Sequence, residues 1–398
     1  MNKVILHCDL NCFFASVEML YHPQYRNVPM AIGGDEDKRH GIILAKNVLA
    51  KKKGIKTAET IVEAKRKCPE LIIRPVDYEA CDYFSNRVKE IYYQYTDKVE
   101  PFGVDECWLD ISESISYFGS VDKIVKELLF RIKNELGLTI SIGISNNRYY
   151  AKLGSDLASE DSFYYVNSID DVKYMKADAL LGVGKKTYEI LKSYNIITIG
   201  DLARKPVSYL IEHFGKYGKS LHEIANGIDY SSISEDNYYT SPKSISHTVT
   251  SYKDISNMDE FKLILTSVSE NVASKLRKQG LYFNTVHLFL RDNKMKAKTM
   301  QESIDENSDL SKDIYDICLK LFERNCNFAL PYRAVGVAVS KLNDKKQICQ
   351  TNLFEQSKYS LKQKKKEVAM DDIRRRFGDN SVVSLRMLLD KKLSGIEQ

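Results

Sequence analysis

The feature that most constrains this chain is a short apolar run, residues 4–8, that ends in Asp9. Such a run predicts a buried strand that delivers a carboxylate at its C-terminal end. A second apolar, β-prone segment carries the adjacent acids Asp105 and Glu106. If the two strands lie side by side, three carboxylates meet at one sheet edge and repel one another unless a hard cation neutralises them. The pattern predicts a Mg²⁺ site, although an isolated Asp-Glu pair is more often a solvated turn.

Length and composition indicate a multidomain protein with real cores. The chain has 398 residues, 43% of them hydrophobic, and a net charge of only +5. At about 150 residues per domain, two to four domains are expected. The eight cysteines form no Cys-x-x-Cys pair, which disfavours a zinc ribbon and indicates reduced thiols of a cytoplasmic protein. The first residues are not typical of a signal peptide, and no apolar run of about 18 residues predicts a membrane span.

The order of strands and helices up to residue 166 predicts an α+β domain, with helices on one face of a mostly antiparallel sheet. Lysine-rich residues 45–53 predict a helix that binds a polyphosphate, although such a run is as often a solvated helix face. The main elements expected are strands at 3–8, 28–32, 99–111 and 138–144, and helices at 11–20, 45–53, 78–95, 121–136 and 147–157.

Beyond residue 166 the pattern changes to short helices and turns. Gly182 and Gly184, followed by Lys185 and Lys186, open a helix in a way that presents free backbone N–H groups to an anion. The spacing is not that of a P-loop. It fits a helix-hairpin-helix, which holds a nucleic-acid phosphate regardless of base; an ordinary helix N-terminus is the alternative.

A polar, aperiodic stretch at 231–243 predicts a linker to a small domain of four strands and two helices. Residues 275–298 of that domain hold seven Lys or Arg against one acid, Asp292, which suits contact with a nucleic-acid backbone. The tail, 345–398, is expected to be flexible. Its isolated pair Leu353-Phe354 after Gln350 is typical of a short motif that docks into a partner's pocket, unless it is a plain loop.

Four motifs in combination give the chain a family resemblance. They are the segments 9–18, 68–71 and 104–110, and the pattern Asn147-x-x-x-Ala151-Lys152-x-x-Ser155-Asp156. Over nearly its whole length the sequence resembles the Y-family translesion DNA polymerases, of the bacterial DNA polymerase IV type. The resemblance implies an α+β right-hand polymerase with a ferredoxin-like palm (1–10 and 77–166), small fingers (11–76), a helical thumb with the helix-hairpin-helix (167–230), a linker (231–242), an α/β little finger (243–344) and a tail with a clamp-binding motif (345–398).

The resemblance also implies a low-fidelity enzyme that adds dNTPs to primer–template DNA with two Mg²⁺ ions, and that docks as a monomer on a sliding clamp. Phe14 would be a steric gate that rejects ribonucleotides by overlap with the 2′-hydroxyl. The residues that it assigns are Asp9, Asp105, Glu106 and the carbonyl of Leu10 to the metals; Phe13, Phe14, Lys51 and Lys152 to the nucleotide; Gly182, Gly184, Lys185 and Lys186 to DNA; and Gln350, Leu353 and Phe354 to the clamp.

The chain departs from the family pattern at two places. Asn11 stands where an Asp is usual, at a position that is not a direct ligand. Ala45-x-x-Val48-x-x-Lys51 stands where Thr-x-x-Tyr-x-x-Arg is usual. An apolar side chain and a point charge replace a tyrosine hydroxyl and a bidentate guanidinium, and Lys is not equivalent to Arg at such a site. Weaker nucleotide binding is expected, partly offset by Lys52 or Lys53.

Two alternative functions can be compared with the sequence. The altered residues 45–51 are compatible with a catalytically weak accessory that binds DNA and the clamp, whereas the retained acids and Lys152 oppose it. The run Gly-Gly-Asp-Glu-Asp at 33–37 looks like the signature of diguanylate cyclases. A cyclase explains neither the hairpin, nor the basic domain, nor the clamp motif.

The double substitution Val48→Tyr and Lys51→Arg introduces the residues that are usual in the family. It is expected to lower the KM for dNTP by at least about threefold, because a tyrosine hydroxyl and a planar guanidinium would contact the phosphates. Steady-state primer extension at varied dNTP measures it. A smaller fall in KM contradicts the assignment of residues 48 and 51 to the triphosphate.

Overall fold

In the computed structural model, the apolar run before Asp9 is the central strand of a five-stranded sheet. β1 (Ile5–Leu10) pairs antiparallel with β6 (Glu106–Asp110) on one side and with β7 (Ile140–Ser145) on the other. β5 (Val99–Phe102) lies outside β6, and β8 (Ser162–Tyr165) runs parallel to β7. The order β5-β6-β1-β7-β8 is the mostly antiparallel sheet that the sequence predicts.

The structure describes residues 3–34, 41–234, 242–344 and 356–396. They fall into two compact units, the first up to residue 234 and the second from residue 242. Among the helices of these ranges, none combines the length and the apolar character needed to cross a membrane.

One face of the sheet carries the core of the first unit. Leu6 and Cys8 of β1 are fully buried on this face. Two long amphipathic helices, α4 (Tyr78–Tyr92) and α6 (Val121–Leu136), pack against it with their apolar stripes. This agrees with the expected layering of helices on a sheet.

The opposite face is covered as well, by α7 (Arg148–Leu157). The expectation that helices lie on one face only is therefore wrong. The reason is Gly143 of β7, where an added Cβ would lie 1.8 Å from the carbonyl oxygen of Ala151. Because a glycine stands there, the helix backbone approaches the sheet closely. His7 and Asp9 of β1 lie under this helix or at its edge.

A three-stranded sheet of order β3-β2-β4 lies between β1 and α4 in the chain. Its cluster of small and apolar residues is separate from the palm-like core. The elements of this segment are α1 (Phe13–Tyr21), β2 (Met30–Gly33), β3 (Ile43–Lys46), α2 (Val48–Lys52), α3 (Ile61–Lys67) and β4 (Ile72–Arg74).

The lysine-rich helix starts later than the sequence pattern predicts. Ala45 belongs to β3, and α2 begins at Val48. Asn47 sets this boundary, because its Oδ1 accepts from Ala50 N at 2.9 Å while its Nδ2 donates to Val28 O at 2.8 Å. A buried asparagine that caps a helix and ties it to a neighbouring turn fixes where helical geometry can start.

The first unit ends in a group of short helices that pack on α7. Tyr150 and Leu153 of α7 belong to the same buried cluster as these helices, and the Tyr150 hydroxyl donates to Ala225 O at 2.9 Å. The α-helices between α4 and residue 234 that are not yet named are α5 (Ile115–Phe118), α8 (Lys185–Ser193), α9 (Ile199–Arg204), α10 (Val207–Phe214) and α11 (Lys216–Ala225).

The second unit contains the four strands and two helices that the sequence predicts. The strands form an antiparallel sheet of order β11-β10-β12-β9, and α12 and α13 bury one of its faces. The elements are β9 (Ser244–Ile255), α12 (Met258–Lys278), β10 (Phe283–Asp292), β11 (Ala297–Ser308), α13 (Ser311–Asn325) and β12 (Tyr332–Ser340).

The expectation of a flexible tail is wrong for residues 356–396, which form α14 (Gln356–Phe377) and α15 (Lys391–Ser394). Arg277 of α12 explains the order, because its guanidinium forms ion pairs with Glu367 and Asp371 of α14. Arg277 and Glu367 are nearly buried there, at 8% and 6% side-chain exposure. Composition alone gave no sign of these contacts, since the partners lie about ninety residues apart.

Arg277→Ala is expected to destabilise the docking of α14 by about 3–5 kcal/mol, because two carboxylates would stay buried without their cation. Hydrogen–deuterium exchange of peptides from 362–377 measures the loss as faster exchange. Arg375→Ala is the matched control: that side chain is 73% exposed, and its pair with Asp372 is worth less than about 1 kcal/mol. Equal protection in the two variants would contradict the account.

Candidate active site

The paired strands bring Asp9 and Glu106 face to face. The two residues are register partners across β1 and β6, at the end of one strand and the beginning of the other. Asp105 lies in the turn just before β6, where its carbonyl accepts from Leu10 N at 3.0 Å. The sequence places Asp105 on the strand itself, but the strand begins one residue later. All three acids nevertheless stand at one end of the sheet.

Lys152 occupies the space between the acids. Its Nζ lies 3.0 Å from Asp9 Oδ2, 3.2 Å from Glu106 Oε2 and 3.1 Å from Asp156 Oδ1. The lysine side chain is only 13% exposed. The resemblance implies that Lys152 reaches a triphosphate; in this structure its ammonium neutralises the carboxylates instead. A single cation held by three acids marks this point as one of strong negative potential.

Burial and mutual repulsion set the protonation of the acids. Burial, with the charges of Asp9 and Glu106, raises the pKa of Asp105 to about 6. Burial also raises the pKa of Asp9, against the attraction of Lys152. Burial alone would raise the pKa of Glu106, but the hydrogen bond with His7 and the charge of Lys152 outweigh it, so this pKa is lowered. Of the three acids, Glu106 is therefore the one whose pKa its surroundings lower.

His7 lies on the same face of β1 as Asp9 and is completely buried. Its Nε2 is 3.1 Å from Glu106 Oε2, its Nδ1 is 2.7 Å from Ser155 Oγ, and its ring meets Trp108 edge-on. Burial lowers the pKa of His7. Sequence reasoning missed this residue, although the i, i+2 spacing from Asp9 places both side chains on one face of a strand.

The donor set fits a hard divalent cation. In the described part of the chain, the ligand-type atoms that lie within 4.8 Å of one another belong to His7, Asp9 and Glu106. Both ring nitrogens of His7 are already engaged, so carboxylate oxygens remain as the donors, and such oxygens suit Mg²⁺. Lys152 is further evidence, because a positive charge already occupies the centre of the group. The carboxylate of Asp105 is not within that 4.8 Å group.

The structure places the residues that the resemblance assigns to the nucleotide in different surroundings. Phe13 is buried in the core, whereas Phe14 is partly exposed and packs edge-on against Tyr78 with ring centroids 6.3 Å apart. A cleft of 240 Å³ is lined by Asp9 together with Val48 and Lys51. The structure therefore places positions 48 and 51, where the chain departs from the family pattern, in one cleft with Asp9.

Asn11 has a structural task that an aspartate could not perform. Its Nδ2 donates to Ser141 Oγ at 2.8 Å, while its Oδ1 accepts from Asp161 N at 3.2 Å. An ionised carboxylate has no hydrogen to donate. The side chain links the start of α1 to β7 and the turn before β8.

The candidate hairpin lies at the surface of the first unit. Gly182 has φ +93, and the Tyr217 hydroxyl donates to its carbonyl at 2.7 Å. Gly184 caps α8, and Lys185 and Lys186 are exposed in its first turn, where backbone N–H groups have no intrahelical acceptor. The clamp-motif residues Gln350, Leu353 and Phe354 lie outside the described residues, as do 235–241 of the linker and 35–37 of the cyclase-like run.

Comparison with known proteins finds similar sequences for both units. The sequence matches the family model described as impB/mucB/samB over residues 8–156, and the model of that family's C-terminal domain over residues 242–353. It is 38% identical to the DNA polymerase IV of Acetivibrio thermocellus, with 100% of each chain covered. It is 34% identical to the DNA polymerase IV of Clostridium kluyveri, over 98% of this chain and 100% of the relative.

The fold has a solved counterpart. A Y-family DNA polymerase chimera superposes with a TM-score of 0.74, covering 86% of this chain and 100% of the chimera, at 18% sequence identity. At that identity the likeness shows the fold alone. It confirms the α+β polymerase fold expected from the sequence.

Asp105→Asn is expected to raise the free energy of unfolding of the metal-free protein at pH 8 by about 1–3 kcal/mol, because the folded state disfavours that buried charge. Urea unfolding followed by Trp108, the single tryptophan, measures it in the first unit. Asp82→Asn, at an exposed aspartate of α4, is the control and should change stability by less than about 0.5 kcal/mol. A destabilised Asp105 variant would contradict the repulsion described here.

Proposed function

Because this chain belongs to the impB/mucB/samB family and is a Y-family DNA-directed DNA polymerase, we propose that it extends primers with low fidelity by two-metal phosphoryl transfer. The observation that carries the proposal is the pairing of Asp9 and Glu106 with Lys152 at one end of the sheet, with Asp105 in the adjacent turn. Such a cluster costs stability, and a protein keeps it where the charges serve a cation and a phosphate.

The three acids, with the backbone carbonyl of Leu10, would hold two Mg²⁺ ions. When bound, the ions lower the pKa of the primer 3′-hydroxyl and neutralise the charge that develops on the phosphates. Burial is the main reason why the pKa values of Asp9 and Asp105 are raised, and the neighbouring carboxylates add to it. The acids are therefore poised for a ligand that brings more positive charge than Lys152 alone.

Lys152 changes partners in this proposal. In the polymerase reaction, the Lys152 ammonium would leave Asp9 and Glu106 and bind the triphosphate of the incoming nucleotide. The distances of 3.0–3.2 Å to its present partners show that its tip already reaches the cluster. Lys51 is exposed and lines a cleft together with Asp9, so it would contact the phosphates as a point charge.

Phe14 would select the sugar. Its ring is partly exposed and contacts the rings of Phe13 and Tyr78. A ring under the nucleotide excludes a 2′-hydroxyl by overlap. Discrimination against ribonucleotides then needs no hydrogen bond from the protein.

The remaining assignments follow the same proposal. Gly182, Gly184, Lys185 and Lys186 hold a DNA phosphate through backbone N–H groups and charge. Gln350, Leu353 and Phe354 dock on a sliding clamp, which raises the local concentration of the polymerase at the primer end. The protein acts as a monomer in the bacterial cytoplasm. The palm comprises 1–10 and 77–166, the fingers 11–76, the thumb 167–230, the linker 231–242, the little finger 243–344 and the tail 345–398.

A second candidate is a catalytically weak accessory that binds DNA and the clamp. Val48 and Lys51 favour it, since the cleft beside Asp9 lacks a hydroxyl and a guanidinium at these positions. The complete acid cluster with Lys152 favours the active polymerase, because an accessory gains nothing from charges that repel one another.

Primer extension on a recessed template with Mg²⁺ and dNTPs tests the two candidates. The wild-type chain is expected to extend distributively, and Asp105→Asn combined with Glu106→Gln to lose at least about a thousandfold in rate, because the groups that hold the cations are gone. The matched control is Asp110→Asn, a carboxylate at the other end of β6. Wild-type protein that binds DNA without extending it would establish the accessory instead.

A further inference from the structure

Among the described residues, His7 is a fully buried group beside the acids that the proposed chemistry leaves without a task. It has 0% exposure, and its two ring nitrogens contact different elements, Glu106 of β6 and Ser155 of α7. Its register partners are Trp108 on one side and Gly143 on the other. The glycine is what lets α7 approach, since a Cβ there would also lie 2.3 Å from Ser155 N. The sequence thus builds a closed compartment for this ring.

The hydrogen bonds around the ring determine its tautomer. A neutral imidazole has one N–H, and a carboxylate can only accept. The contact between Nε2 and Glu106 Oε2 at 3.1 Å therefore requires the hydrogen on Nε2. Nδ1 is then an acceptor, and the Ser155 hydroxyl, 2.7 Å away, must donate to it. With the opposite tautomer, two lone pairs would face each other at Glu106.

The Ser155 hydroxyl has two possible acceptors within hydrogen-bond distance. Its Oγ also lies 2.8 Å from Lys152 O, one turn earlier in α7. A hydroxyl has a single hydrogen, so it can satisfy either the helix carbonyl or the histidine. The carbonyl already accepts within the helix, whereas Nδ1 of a buried ring has no other donor among the described residues. The Ser155 hydroxyl therefore donates its hydrogen to Nδ1 of His7 rather than to the helix carbonyl.

The tautomer of His7 affects how the Glu106 carboxylate is oriented. Both contacts that it makes within the described ranges, with His7 and with Lys152, are through Oε2. Oε1 is left as the oxygen for a cation. We propose that His7 is a positioning residue, which holds Glu106 through an Nε2–H donor that Ser155 orients, so that the carboxylate presents Oε1 to the metal. This inference rests on the proposed function, since it takes Glu106 as a metal ligand.

Removing a residue that hydrogen-bonds to a ligating carboxylate typically lowers metal affinity by about 10–100-fold. His7→Leu keeps the apolar volume and removes the donor, and we expect it to weaken Mn²⁺ binding to the full chain by about tenfold or more. His7→Gln places an amide donor near the Nε2 position and is expected to restore most of the affinity. Mn²⁺ binding, followed by electron paramagnetic resonance of the free ion, is the readout.

Activity separates positioning from general packing. His7→Leu should shift the Mg²⁺ concentration for half-maximal primer extension upwards by a similar factor, while turnover recovers at saturating Mg²⁺. A merely structural loss would lower turnover at every Mg²⁺ concentration and would not be relieved by glutamine. His247→Leu, in the second unit, is the control and should leave Mn²⁺ binding unchanged.

Two variants keep the test decisive. Ser155→Ala removes only the hydroxyl that orients the ring and should give an intermediate loss of Mn²⁺ affinity even if His7→Leu fails to fold; unchanged binding there overturns the inference. Asp9→Asn should abolish Mn²⁺ binding. If it does not, the metal site itself is refuted, and the task of His7 with it. If Asp9→Asn behaves as expected but His7→Leu binds normally, only the inference about His7 fails.

Discussion

The burial of three neighbouring carboxylates, those of Asp9, Asp105 and Glu106, is the constraint on which the site depends. Pairing β1 with β6 sets two of these acids face to face and brings the third to the adjacent turn. Burial raises the pKa of Asp105 to about 6, with the neighbouring carboxylates adding to it. Lys152 relieves the repulsion only in part, because one positive charge faces several negative ones. The carboxylates therefore lie in an electrostatically unfavourable arrangement that a divalent cation would relieve.

Positioning α7 is what makes this arrangement possible. Gly143 and Gly154 meet where the helix crosses the sheet: a Cβ on Gly143 would clash with the helix backbone, and one on Gly154 would lie 2.8 Å from the Cα of Gly143. That close approach places Lys152 over the acids and Ser155 against His7. The backbone contact thus determines two side-chain contacts of the site. A helix kept a few ångströms further away would carry the same sequence motif without the same chemistry.

The sequence predicted the parts of the fold that local pattern determines. The central strand, the long amphipathic helices and the four-stranded second unit follow from periodicity, and the acids follow from where apolar runs end. The onset of α2 at Val48 was missed because Asn47 acts through contacts with Val28 and Met30, which no local pattern reveals. The order of α14 was missed for the same reason, since its charged residues look solvated until Arg277 is seen beside them. Of the site, His7 was missed because its partners are distant in sequence.

The most direct test of the central claim is a crystal structure of the full chain with primer–template DNA, a non-hydrolysable dNTP analogue and Mg²⁺. The account predicts cations held by Asp9, Asp105 and Glu106, and the Lys152 ammonium moved from these carboxylates to the triphosphate. A ternary complex in which Lys152 remains ion-paired with Asp9 and Glu106, with no cation between the acids and the nucleotide, would contradict it.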